Sequence, residues 1–74
     1  MQKPNVSSNN RKFVFTGAHK VIDQSFVWQI LNINSGAIGG WLEHEDNLSL
    51  LGSCWVTEDA AVYGNAKVSG DASV

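Results

Sequence analysis

The chain has 74 residues, a formal net charge of −2, a hydrophobic share of 43% and a charged share of 16%. That composition excludes wholesale disorder, and the length allows one domain that buries only about 60% of its unfolded surface. No apolar run approaches the ~18 residues of a membrane span, the N-terminus lacks the apolar core of a secretion signal, and the single cysteine, Cys54, excludes an internal disulfide; a cytoplasmic location is the expectation.

In chain order, residues 1–11 are polar, with Pro4 and the run Ser7-Ser8-Asn9-Asn10, and read as a loose arm. Residues 12–49 read as a β cap. Lys12 to Thr16 alternates as a strand does, and Gly17-Ala18-His19-Lys20 reads as a hairpin turn. Ser25 to Ile33 is a longer run rich in aromatic and branched residues, which favours a second strand. Ile22, Phe26, Val27, Ile30 and Leu31 also fall on one helical face, so a helix from Val21 to Leu31 is the competing assignment. Asn32 to Gly36 supplies a turn, after which Gly39 and Gly40 allow a close backbone approach and Trp41 closes over the junction.

Residues 50–74 repeat with period six. The segments are Leu50 to Trp55, Val56 to Ala61, Val62 to Lys67 and Val68 to Ser73, followed by Val74 alone. A branched aliphatic opens each, a small residue (Cys54, Ala60, Ala66, Ala72) takes the fifth place, and between them sit turn pairs such as Gly64-Asn65 and Gly70-Asp71. Each repeat can bury its apolar side only against its neighbours, so the period predicts a stack of short strands with bends between them. Alternation points the first and fifth residues inward and leaves Leu51, Thr57, Tyr63 and Ser69 outward.

These segments resemble the hexapeptide repeat of left-handed β-helices, in which three hexads make one triangular coil. Ile38-Gly39-Gly40-Trp41-Leu42-Glu43, then Asn47-Leu48-Ser49 and Gly52-Ser53-Cys54-Trp55-Val56, are more specific. They resemble the N-terminal part of the YdcK-like hexapeptide-repeat proteins of bacteria and prophages, from about Phe26 to Val74. The expected fold is therefore all-β: a short left-handed β-helix with an N-terminal hairpin-like cap. The resemblance further implies a phage-derived origin.

The charge is unevenly placed. Residues 1–40 carry Lys3, Arg11, Lys12 and Lys20 against Asp23, while residues 41–74 carry Glu43, Glu45, Asp46, Glu58, Asp59 and Asp71 against Lys67. An acidic C-terminal half disfavours nucleic acid along the repeats, because phosphate binding needs clustered cations, and permits a basic protein partner. Many left-handed β-helix proteins are trimeric acyltransferases that use a histidine base between subunits, a role for which this chain offers His19 and His44. His44 lies in the polar stretch Glu43-His44-Glu45-Asp46 with no second histidine or cysteine at ligand spacing, and four complete hexads offer almost no wall for an acyl-CoA site. Cys54 stands where later repeats carry alanine, which marks a buried core residue rather than a nucleophile. A threonine ladder of the ice-binding kind is absent from the outward places, and DNA-mimicking pentapeptide solenoids have period five.

The expectation is thus a protein-binding module and not an enzyme, with no cofactor and no metal. Val62, Val68, Ala72 and Val74 would form a homodimer interface, because the repeat runs unchanged to Val74 and presents an apolar edge. Trp55, Tyr63, Glu43, Glu45 and Asp46 are the candidates for contacting a host protein complex, for instance a CRISPR effector inhibited in the host cytoplasm. A truncated or fragmentary hexapeptide acyltransferase-like protein is the alternative.

Overall fold

A computed structural model describes residues 3–74; the first two residues of the expected arm, Met1 and Gln2, lie outside the described residues. The described chain is all-β. Strands β1 (Phe13–Ile22), β2 (Ser25–Asn32), β3 (Ile38–Leu42) and β4 (Ala61–Val62) form one four-stranded sheet in that order, and a single 3-10 turn spans Glu45–Asn47. β1 and β2, and β2 and β3, pair antiparallel, whereas β3 and β4 pair parallel.

The first reversal does not fall at Gly17-Ala18-His19. It falls at Asp23-Gln24, the two residues left between Ile22 and Ser25, both with positive φ (48° and 68°) as a two-residue hairpin turn of matching twist requires. Gly17 instead lies inside β1, where Phe15 pairs with Ile30 and His19 with Trp28, so that β1 carries extra residues against β2. Its φ of 103° absorbs this bulge without reversing the chain. The helical reading of 21–31 gives way to strand β2 because Val27 and Trp28, adjacent in sequence, are both buried, one on each face of the strand. Asn32 ends β2 by accepting the N–H of Asn34 (2.8 Å) and of Ser35 (3.0 Å) on its Oδ1, which shapes the turn into β3.

Beyond Leu42 the chain comes back over itself. Trp41 pairs with Ala61, Leu42 with Val62 and Leu48 with Val68, each 20 positions apart, and Trp55 pairs with Ser73, 18 positions apart; all these pairings are parallel. Residues 38–57 thus make a lower layer and residues 61–74 an upper one. Leu42, Leu48, Cys54 and Val56 of the lower layer are buried with Val62 and Val68 of the upper layer, and Phe13, Phe15, Trp28 and Ile30 of the hairpin complete the cluster. This apolar burial is the main force holding so small a sheet together.

The first repeat is out of step with its expected place. Leu50 is 36% exposed and Leu51 80% exposed, while Leu48, two residues earlier, is the buried partner of Val68. Two extra residues between Leu48 and Val56 are looped out, and the spacing of 20 rather than 18 records them. Among the small fifth residues Cys54 is buried and Ala60 packs against the core, but Ala66 and Ala72 are exposed, since they belong to the upper layer, whose far side no described residue covers.

The segment ahead of β1 has no strand or helix, yet it is tied down. Asn10 is buried; its Oδ1 accepts the N–H of Lys12 and Phe13, and its Nδ2 donates to Glu45 Oε2 at 3.0 Å. The Ser7 N–H donates to the same carboxylate oxygen at 2.7 Å, Lys3 Nζ donates to the Phe15 carbonyl at 3.1 Å, and Val6 packs against the core.

Candidate functional site: the upper edge and its latch

The upper layer is attached to the lower one from one side only. The carbonyls of Ala60, Val62, Val68, Ala72 and Val74 accept N–H groups from Trp41, Glu43, Ser49, Trp55 and Thr57, at 2.7–3.2 Å. Peptide groups alternate sides along a strand, so those between them face away from the lower layer. The backbone groups of Lys67 and Ser73 make no backbone hydrogen bond among the described residues. Val62, Tyr63, Ala66, Val68 and Val74 surround an open cavity of about 500 Å³ on this side, and Val74 is 48% exposed. Apolar side chains ringed by unbonded backbone form a template for strand pairing, which is what an edge needs to bind another β-structure. Ala72, grouped with these residues in the sequence, is exposed but does not line the cavity.

The acidic corner is mostly spent on the fold. Glu43 Oε1 accepts the Gly64 N–H at 2.7 Å, and Glu45 holds the N-terminal segment through Ser7 and Asn10. Asp46 alone of the three is exposed and free of side-chain bonds among the described residues. Beneath them lies a residue that the sequence did not single out as a site residue, Asn47. It is fully buried, accepts the N–H of Glu43 (3.1 Å) and His44 (2.9 Å) on Oδ1, and donates from Nδ2 to the carbonyls of Gly64 (3.3 Å) and Ala66 (2.9 Å). One side chain thereby joins the corners of the two layers.

A second link was equally hidden. The Tyr63 hydroxyl donates to Asp23 Oδ2 at 2.5 Å, so the tip of the β1–β2 hairpin is latched to the residue that follows β4. Nearby, Lys20 Nζ sits 4.4 Å from the centre of the Trp41 ring, a cation–π contact. Val27, paired with Lys20 and fully buried, lies outside the main core cluster on this outer face of the sheet. Asp23 raises the Tyr63 pKa above its ordinary 10.0, first by accepting the phenolic hydrogen and then by its negative charge. A raised phenol pKa means that the folded state holds the proton more tightly, so this contribution to stability is full below pH ~10 and is lost as pH rises through the folded pKa. Tyr63 is the only tyrosine, so tyrosinate absorbance titrates it directly: the midpoint should lie above 10.0 in the native protein and fall back towards it in Asp23→Asn.

The remaining candidates are occupied by packing. Trp55 is half-buried over Gly39, where an added Cβ would come within 2.5 Å of its Cζ2 atom. His19 stacks on Trp28 with ring centres 4.6 Å apart, and His44 is exposed. Cys54 is fully buried; Lys12 Nζ lies 3.2 Å from its sulfur while donating to the carbonyls of Ser49 and Gly52, so the lysine closes the base of the lower layer. No described helix is long and apolar enough to cross a membrane. No protein-family model matches the chain, and comparison with curated proteins finds no match.

Proposed function

We propose that this chain is a non-enzymatic protein-binding module: a short left-handed β-helix, covered at one end by the β1–β2 hairpin, that binds through the exposed edge of its upper coil. The parallel pairings 20 and 18 positions apart support the β-helix, because 18 residues are three six-residue segments and so one coil. The binding function rests on one observation, the apolar cavity ringed by Val62, Val68 and Val74 beside backbone groups that pair with nothing in the lower layer. The partner at that edge is a second copy of the chain. Asp46, Glu58 and Asp59 are exposed carboxylates, which favour a basic host protein as partner. The resemblance to prophage hexapeptide-repeat proteins supports a phage-encoded inhibitor of a host complex such as a CRISPR effector.

Sedimentation velocity across a concentration series tests the edge. The native protein should dimerise, and Val74→Glu, which places a charge on a half-exposed side chain, should weaken the dimer by roughly tenfold or more, about 1.4 kcal/mol, without altering the circular dichroism. A native protein that stays monomeric at high micromolar concentration, or a variant that dimerises as tightly, would overturn the proposal.

A further inference from the structure

β4 is the outer strand of the sheet, on the side opposite β1. Its bonds to β3 involve the carbonyls of Ala60 and Val62, which accept from Trp41 and Glu43. Alternation therefore turns the N–H and C=O of Ala61 and Tyr63 away from β3; of these four groups the Tyr63 carbonyl already accepts the Ala66 N–H at 3.3 Å and keeps one lone pair for a further donor. These two residues flank Val62 symmetrically. If the segment runs antiparallel to a copy of itself about Val62, each Ala61 faces a Tyr63 in the geometry of a hydrogen-bonded pair, and each Val62 faces its own copy in a non-hydrogen-bonded pair. Val62 points into the core with Leu42, so the two copies would meet apolar side to apolar side. That is the contact the molecule already makes between its own layers, where Val62 and Val68 lie on Leu42 and Leu48. The Tyr63 ring does not obstruct the approach, because Asp23 holds its hydroxyl on the outer face beside Lys20 and Trp41.

We infer that the second copy docks by twofold antiparallel pairing of β4 with β4, which joins two four-stranded sheets into one of eight strands. The same rotation carries residues 67–69 of each copy across residues 73–74 of the other, which sets Val68 against Val74 and the unbonded backbone groups of Ser73 against Ser69. The inference rests on the edge-binding reading above and adds to it a strand, a direction and a register.

Ala61→Pro tests the register. It removes an N–H that the fold does not use and the dimer does, at an edge position where proline is tolerated. The expected result is an unchanged circular dichroism spectrum with the dimer weakened roughly tenfold or more, as the loss of paired backbone hydrogen bonds requires. Val62→Cys in a Cys54→Ala background is the second variant. Non-hydrogen-bonded partners have Cα atoms ~4.5 Å apart, within disulfide reach, so mild oxidation should yield a covalent dimer. Failure of Val62→Cys to cross-link, together with native-strength association of Ala61→Pro, overturns the register. If Val74→Glu still dissociates the dimer in that case, the edge reading survives with a different register; if it does not, both fall.

Discussion

Asn47→Ala is expected to lower the unfolding free energy by about 3–5 kcal/mol, the largest loss of any single polar substitution in this chain. The side chain satisfies the N–H groups of Glu43 and His44 and the carbonyls of Gly64 and Ala66 from a fully buried position. Each buried polar group left unpaired costs about 1–3 kcal/mol, and partial relaxation toward water keeps the total below the simple sum. A domain of this size has about 4–11 kcal/mol of stability in all, so the loss removes from roughly a quarter of it to the whole. Asn47→Asp separates the two halves of the role. Its carboxylate still accepts from Glu43 and His44 but sets negative oxygen against the carbonyls of Gly64 and Ala66, so it should also destabilise, by releasing the upper layer. Urea unfolding reads both effects as a lowered midpoint, and an Asn47→Ala midpoint within ~1 kcal/mol of the native value would contradict the account.

Gly40→Ala is the second large effect, and its companion Gly39→Ala sets the scale. A Cβ on Gly40 would collide with the carbonyl oxygens of Thr57 and Ala60 and lie 2.6 Å from Val56 Cγ1. Two of those three obstacles are backbone and cannot swing aside. The Gly40 N–H also donates to the Val56 carbonyl at 2.8 Å, so moving the strand breaks a bond that holds the lower layer together. Overpacking costs ~1–3 kcal/mol where side chains can adapt and more where they cannot. Gly40→Ala should therefore cost ~3 kcal/mol or more. At Gly39 the added carbon meets Trp55 Cζ2 at 2.5 Å and Ile30 Cγ1 at 2.8 Å, both on side chains, and ~1–2 kcal/mol is expected. Thermal melts of the pair should rank in that order, and equal losses would show that backbone contact at Gly40 is not what limits the substitution.

Much of the fold could be read locally. Alternation and branched residues in Ser25 to Ile33, and the turn residues from Asn32 to Gly36, reflect preferences that act within a few positions, and the strand and turn stand there. The hairpin turn is not legible at Gly17 because glycine is an ambiguous sign: it serves equally in a reversal or a bulge, and the pairing of Ile30 with Phe15 and of Trp28 with His19 makes it a bulge. The site was less legible. Val62, Val68 and Val74 could be found from their period, whereas Glu43 and Glu45 read as free charges and are bound to Gly64, Ser7 and Asn10.

The period of six by itself determined that Val56, Val62 and Val68 point inward, because side-chain direction in a strand follows from alternation alone, whatever lies across from it. It did not by itself make the class all-β, since residues 21–31 lie outside the repeats and keep a helical stripe that the burial of both Val27 and Trp28 rules out. Only the tertiary structure decided that Leu48 and not Leu50 lies beneath Val68, that Asn47 reaches Gly64 and Ala66, and that Asp23 grips Tyr63. Those contacts join residues 17 to 40 positions apart, and their register depends on how many residues are looped out between the layers, a count that no local preference encodes.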